Sequence, residues 1–304
     1  MKIPIITGYT ASGKTDISLK LAEKLDIEII SADAFQVYRF MDIGTGKPSK
    51  NELAKIKHHL IDCLNPEEVY SAGIFFEKTE TIIEDILKRN KIPLVVGGTG
   101  LYVEVLTKGI FKSPKVDKEL RQQILNDMED KGIDYFYHQL ILKDAEYAKK
   151  ISKKDKNKIT RAFEIMETTG MTVTEAHRNF HRYPKFDYEI FIIEKDRKEL
   201  YKSIDERVLK MFQKGWVDEV NHLLNLGYSP ENHSFKAIGY REIASFIKNG
   251  YPSIEKLIQD IQTKTRQFAK RQYTWFRHMM GLKKLSSDFQ TNVDEIFKTI
   301  KLFW

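Results

Sequence analysis

The residues Gly8-Tyr9-Thr10-Ala11-Ser12-Gly13-Lys14-Thr15 fit the pattern G-x-x-x-x-G-K-[ST]. Their types suit one task, the holding of a phosphate. Glycines let backbone N–H groups close around phosphate oxygens, Lys14 adds a point charge, and the Thr15 hydroxyl can reach a Mg²⁺ ion. The surroundings agree. An apolar run from Lys2 to Thr7 precedes the loop, and Asp16 to Lys24 follows it with Ile17, Leu21 and Leu25 at helical spacing. The loop therefore leads from a strand into a helix N-terminus, whose positive end favours anions. The pattern identifies a phosphate but not the molecule that carries it.

A P-loop ATPase usually holds its Mg²⁺ with a further aspartate at the end of a neighbouring strand. Here the strand-like run Pro93-Leu94-Val95-Val96 ends in Gly97-Gly98-Thr99-Gly100, with no acid. Asp62, after His58-His59-Leu60-Ile61, is a conceivable substitute, and a solvated loop acid is the plainer reading. A diphosphate without a γ-phosphoryl group would suit such a loop. Asp33 ends a second apolar run, Ile27 to Ile30, through Ser31-Ala32. That places it at the carboxyl edge of the sheet, where α/β sheets bind ligands. A carboxylate there can take a proton from a nucleophile approaching the phosphate ester; standing alone it would read as a turn or helix-cap acid.

The elements that must position these groups alternate between strand and helix. A helix over 72–88 puts Ile74, Phe75, Ile82, Ile86 and Leu87 broadly on one side, and Tyr188 to Ile193 forms another apolar run. Continuously apolar strands between helices predict an α/β fold, a P-loop NTPase-like parallel sheet with helices on both faces. From Ser113 to Pro184 charge and helical periodicity dominate and no strand stands out. The expected organisation is a catalytic core over 1–112 and 185–304, with a helical C-terminal tail, interrupted by a helical insertion domain over 113–184.

Composition narrows the classes. Cys63 is the single cysteine among 304 residues, which excludes a disulfide framework and a cysteine zinc site. No apolar run approaches the roughly 18 residues of a membrane helix. Met1 to Ile6 is interrupted at Gly8 too soon for a secretory signal, so a cytoplasmic location is expected. The net charge of +7 fits either a merely basic enzyme or one with a polyanionic partner. Lys149 to Arg161 carries seven cations against Asp155 alone, and Lys264 to Lys284 carries no acid while interleaving Phe268, Tyr273, Trp275 and Phe276. A solvated lysine face and a core stripe would explain part of this; acid-free basic helices beside a phosphate site point to RNA. His58 and His59 read as structural, and Trp216 and Trp275 as packing residues.

Several blocks taken in order resemble one family. They are Ser31-Ala32-Asp33-Ala34-Phe35-Gln36-Val37-Tyr38, Met41-Asp42-Ile43-Gly44-Thr45-Gly46-Lys47-Pro48, His58 to Asp62 and Val96-Gly97-Gly98-Thr99-Gly100-Leu101-Tyr102. Arg161-Ala162-Phe163-Glu164, Gly215 to Val220, Lys236 to Arg241 and Ala269 to Arg277 continue the series. The set resembles the tRNA dimethylallyltransferase (tRNA isopentenyltransferase) family over nearly the whole chain.

The resemblance implies a Mg²⁺-dependent transfer of a dimethylallyl group from dimethylallyl diphosphate to N6 of the adenosine 3′-adjacent to the anticodon of tRNA. By the same resemblance the phosphate loop, Gly8 to Thr15, holds the diphosphate, with Thr15 on the metal. Asp33 is the general base or adenine-orienting acid, and Thr99 and Arg121 stand near the tRNA and the reaction centre. Asp33, Ala34, Phe35 and Gln36, then Asn157, Lys158, Ile159, Thr160 and Arg161, then Lys236, Ala237, Ile238, Gly239, Tyr240 and Arg241 would meet the anticodon stem-loop of tRNA. A monomer with no membrane partner is expected. Two positions depart from the family pattern: Tyr9 stands where proline is frequent, and Ala34 where serine is. The competing classes are a P-loop nucleotide or nucleoside kinase, a prenyltransferase acting on free adenine nucleotides, and a non-catalytic RNA-binding GTPase-like module.

Overall fold

The computed structural model describes residues 1–112, 117–250 and 252–304. Its strands are β1 (Ile3–Gly8), β2 (Ile27–Ser31), β3 (His58–His59), β4 (Ile92–Val96), β5 (Ile110–Phe111), β6 (His181–Arg182), β7 (Tyr188–Ile193) and β8 (Leu282–Leu285). The chain divides into two compact units, Met1–Thr107 with Pro184–Trp304, and Lys108–Tyr183.

In the first unit six strands form one sheet in the order β3-β2-β4-β1-β7-β8, and every pairing is parallel. The apolar strands explain why. Ile6, Ile27, Ile29, Leu94 and Phe191 pack on one face against Ile17 and Leu21 of the Lys14–Ala22 helix and Val293, Ile296 and Ile300 of the Phe289–Phe303 helix. Their neighbours Ile5, Ile30, Val95 and Ile190 are buried too, and the Ala72–Lys88 helix packs against β2 and β4. Both faces are covered, as a parallel sheet requires.

The structure adds detail that apolar patterning did not carry. β3 and β8 are edge strands, and the middle of β8 is Lys283-Lys284, whose ammonium groups pair with Glu189 and Glu194 at 2.9 Å each. In the Ala72–Lys88 helix the buried stripe is Phe75, Phe76, Thr79, Ile83 and Ile86. Ile74 is 37% exposed, and Ile82 and Leu87 are only partly buried, so the inward face is rotated from the one read in the sequence.

The second unit is mostly helical. The helices Lys118–Lys131, Ile133–Lys143, Lys156–Thr169 and Val173–Asn179 enclose Ile124, Met128, Phe136, Leu140, Ile159 and Phe163. β5 and β6 pair antiparallel, a strand contribution that two-residue segments cannot announce by periodicity. The expected start of the insertion at Ser113 lies outside the described residues.

Candidate active site

Strand β1 ends in the Gly8–Thr15 loop, the segment with the phosphate-loop pattern. Gly8 has φ 144° and Gly13 φ 89°, backbone conformations that suit glycine. Gly13 caps the Lys14–Ala22 helix, whose first N–H groups lack intrahelical acceptors and can meet an anion. Lys14, which its loop position would put at the surface, folds back. Its Nζ donates to the carbonyl oxygens of Tyr9 at 2.6 Å and Gly8 at 3.0 Å. Burial pushes its pKa down to about 7, and the charge of Arg207 acts in the same direction while that of Asp33 opposes it.

Arg207 was not found by motif reading. It lies on the Arg197–Gln213 helix, whose buried stripe is Leu200, Ile204 and Val208. A lone cation three residues after Ile204, on that apolar side, was the available signal. Its guanidinium lies against Gly46, where a Cβ would collide with it. Burial lowers its pKa, and the charges of Asp33 and Asp16 oppose that shift. Lys14, Arg207 and Asp33 thus share one electrostatic neighbourhood.

Gly97 and Gly98 make the convergence possible. A Cβ on Gly97 would strike the Ala32 backbone, and one on Gly98 would stand 2.7 Å from the Gln272 amide nitrogen and 3.0 Å from the Gly8 carbonyl oxygen. Without side chains there, the exits of β1 and β2 close over the end of β4 from either side. Gln272, 6% exposed, completes the closure. Its Nε2 donates to the Gly98 carbonyl at 2.8 Å and its Oε1 accepts the Thr10 N–H at 2.9 Å. The indole of Trp275, 43% exposed, lies against Gly100.

Asp33 Oδ1 accepts N–H groups from Phe35 at 2.9 Å and Gln36 at 3.3 Å, so the carboxylate also shapes its own turn. The Thr99 hydroxyl accepts the Ala34 N–H at 3.2 Å and ties that turn to the end of β4. Gln36 accepts from the Ser31 hydroxyl at 2.9 Å and donates to the Gly46 carbonyl at 3.3 Å. The Met41–Pro48 segment is held in turn by Glu219, which accepts N–H groups from Asp42, Ile43 and Gly44 and the Tyr240 hydroxyl at 2.7 Å. Trp216 is buried against Gly44 and Gly239, a packing role. Asp62 pairs with Lys47, which makes it a structural loop acid. His59 bonds Glu28 at 2.7 Å and His58 bonds the Ile56 carbonyl at 2.8 Å; among the described residues no group of three His, Cys, Asp or Glu is arranged for a metal.

The remaining site residues divide by exposure. Asn157 and Lys158 are exposed and Arg161 partly so, while Ile159 and Thr160 are buried. Lys236 and Arg241 are exposed, whereas Ala237, Gly239 and Tyr240 are buried. In the second unit Arg121 pairs with Glu164, as does Arg161 at 2.7 Å. The basic segments are partly neutralised by acids from other elements. Lys264 pairs with Glu242 and Arg266 with Asp205, each at 2.5 Å. Lys156 pairs with Glu129 at 3.5 Å, and Lys153 and Lys154 have no carboxylate partner among the described residues.

A family model described as IPP transferase matches residues 36–279. The chain belongs to this family. A tRNA dimethylallyltransferase of Aquifex aeolicus is 42% identical over 292 residues, covering 94% of each chain. One from Thermotoga neapolitana is 37% identical over 301 residues, 99% of this chain and 97% of the relative, so that alignment reaches across Gly8 to Thr15. Among solved structures, a tRNA isopentenylpyrophosphate transferase of Staphylococcus epidermidis superposes with a TM-score of 0.71 at 33% identity over the full length of both chains. A eukaryotic dimethylallyltransferase acting on tRNA gives 0.79 at 29% identity, covering 94% of this chain and 74% of that one. The residues matched by the IPP transferase model include Asp42 to Gly46, Arg207, Glu219 and Gln272, so the supports identified here lie within the family's shared span.

Proposed function

We propose that the chain transfers a dimethylallyl group from dimethylallyl diphosphate to N6 of the adenosine 3′-adjacent to the tRNA anticodon, releasing diphosphate. The observation that carries this reading is the gathering of Lys14, Arg207 and Asp33 around a phosphate loop. Two cations and a helix N-terminus suit a departing diphosphate, and one carboxylate suits the incoming amine.

The donor's C–O bond breaks as the N6–C bond forms, and N6 gives up a proton. Charge builds on the leaving oxygens, where the loop amides, Lys14 and Arg207 stabilise it. The adenine amine is a poor nucleophile because its lone pair is delocalised into the ring. Asp33 orients it and accepts its proton, with Thr99 fixing the turn that carries the carboxylate. The Thr15 hydroxyl, on the first turn of the helix, makes no hydrogen bond among the described residues and is free to hold Mg²⁺, an ion commonly held by one or two protein groups plus phosphate oxygens and water. When bound, the ion supplies charge neutralisation to the leaving group. Asn157, Lys158 and Arg161, with Lys236 and Arg241, are the accessible parts of the segments assigned to tRNA.

The test is incubation with dimethylallyl diphosphate, Mg²⁺ and unmodified tRNA, followed by mass spectrometry of the nucleosides. Prenylated adenosine is expected. Phosphorylation of a small acceptor by ATP, without prenyl transfer, would place the chain among the kinases; prenylation of free adenine nucleotides in preference to tRNA would remove RNA from the reaction.

A further inference from the structure

We infer that Glu164 is a positioning residue that makes Arg121 and Arg161 into one phosphate-binding fork. The inference rests on the proposed reading in that the phosphate belongs to one of its two substrates. Glu164 is 0% exposed, midway along the Lys156–Thr169 helix, among the buried Ile159, Ala162, Phe163, Ile165 and Met166. The Lys118–Lys131 helix packs against it and brings Arg121. From its own helix Arg161 donates Nη1 to Glu164 at 2.7 Å.

A buried ion cluster is a poor source of stability, because desolvation offsets most of the pairing and well-packed apolar residues in place of the whole cluster serve as well or better. What the ion triad supplies is outward. The side chains of Arg121 and Arg161 are 50% and 39% exposed, although their shared partner is fully covered. A guanidinium has five N–H donors in a fixed plane. Each arginine spends part of that set on Glu164 and keeps the rest for solvent. Two unpaired guanidinium groups on adjacent helices would repel and spread; one anion between them holds both and leaves the cluster with a net positive charge. Such a fork fits an oxyanion offering several acceptor oxygens, and arginine pairs with phosphate in two-bond geometry. Asn157 and Lys158 stand one turn earlier on the same helix and are exposed, which extends the donor row along the direction a phosphate chain would take.

The phosphate could come from the RNA backbone or from the donor diphosphate, and two measurements separate these sources. Glu164→Gln keeps the volume and removes the charge that gathers the arginines. Binding of an unmodified anticodon stem-loop, measured without donor, is expected to weaken about tenfold, with donor KM changed by less than about twofold. The opposite split, a raised donor KM with unchanged RNA binding, would still uphold the fork and assign it to the diphosphate. A role in folding alone would move neither. The second readout is coupling: in a protein already carrying Arg121→Gln and Arg161→Gln, Glu164→Gln should add nothing to either quantity. Undiminished binding of both ligands by folded Glu164→Gln protein, or an additive effect in the triple variant, overturns the inference. If Glu164→Gln does not fold, Glu164→Met, which fills the buried position with an apolar side chain and leaves two half-exposed arginines to solvent, is the substitute, expected to fold while losing the fork. Failure of the broader reading looks different, since the unaltered protein would then bind neither stem-loop nor donor.

Discussion

Lys14 donates its ammonium to the carbonyl of Tyr9 at 2.6 Å, so the cation needed by a phosphate is stored inside its own loop. Its pKa near 7 means that much of it is neutral above that pH, whereas a diphosphate is bound best by the charged form. Donor binding is therefore expected to take up a proton at pH 8, with affinity falling about tenfold per pH unit above 7 until the bound-state pKa is reached. Calorimetry in two buffers of different ionisation enthalpy measures the uptake. For stability the sign is opposite to that of a salt-bridged lysine. The folded pKa is below the unfolded one, so the unfolded chain binds more protons between about 7 and 10.5 and this group's contribution to stability rises with pH across that window. Lys14→Met should abolish donor binding without lowering the melting temperature.

Asp33→Asn separates chemistry from structure. The asparagine carbonyl can still accept the N–H groups of Phe35 and Gln36, so the turn should survive. Single-turnover transfer at saturating substrates should fall about a hundredfold to ten-thousandfold, the usual loss for a general base. Asp33→Ala should in addition lower stability by about 1 kcal/mol through the lost turn bonds. A normal rate with a depressed melting temperature in Asp33→Asn would remove the residue from the chemistry.

The two basic segments should behave differently. Lys153→Glu with Lys154→Glu reverses cations without carboxylate partners among the described residues, and should weaken tRNA binding and shallow its log–log salt slope by about one unit per lost phosphate contact. Lys264→Glu with Arg266→Glu places like charges against Glu242 and Asp205. That pair should act mainly on the melting temperature, with a smaller change in salt slope.

Acid sensitivity should centre on Glu28. It is 2% exposed on β2, and hydrogen bonds from Arg89 and then His59 hold its carboxyl down at about 2 against the opposing effect of burial. A depressed carboxylate pKa contributes stability that is fully present above the ordinary value near 4.5 and is lost as pH falls towards 2. Glu28→Gln should cost about 3 kcal/mol at neutral pH, as expected when one member of a buried ion pair is removed, and should flatten the melting temperature against pH between 4.5 and 2. An unchanged slope in that window would assign the acid response elsewhere.

Much of this was legible in the residues. The strand–loop–helix around Gly8 to Thr15 declares itself because its glycines and flanking apolar runs stand at fixed spacing, and β1, β2, β4 and β7 because buried parallel strands are continuously apolar. β8 was not legible: its middle is Lys283-Lys284, tolerable only because an edge strand can point cations at Glu189 and Glu194. Arg207 was missed since its meaning comes from where its helix docks. Lys264 to Lys284 looked unpaired because its acids are remote in sequence. Gly97-Gly98 read as a strand stop, whereas their lack of side chains is what lets Asp33 and the loop approach each other.

The place of β1 in the sheet governs the order in which the molecule can assemble. Ile5 aligns with Val95 on one side and Ile190 on the other, so this inner strand, although it precedes both partners in the chain, stays incompletely paired until β7 has been made. The Thr10 N–H waits longer still, for Gln272. The helices of Lys108–Tyr183 need only near neighbours, and low contact order favours rapid folding. On the ribosome that unit can therefore settle while the sheet is still incomplete, and the Gly8–Thr15 loop gains its full set of supports only once Gln272 has been made.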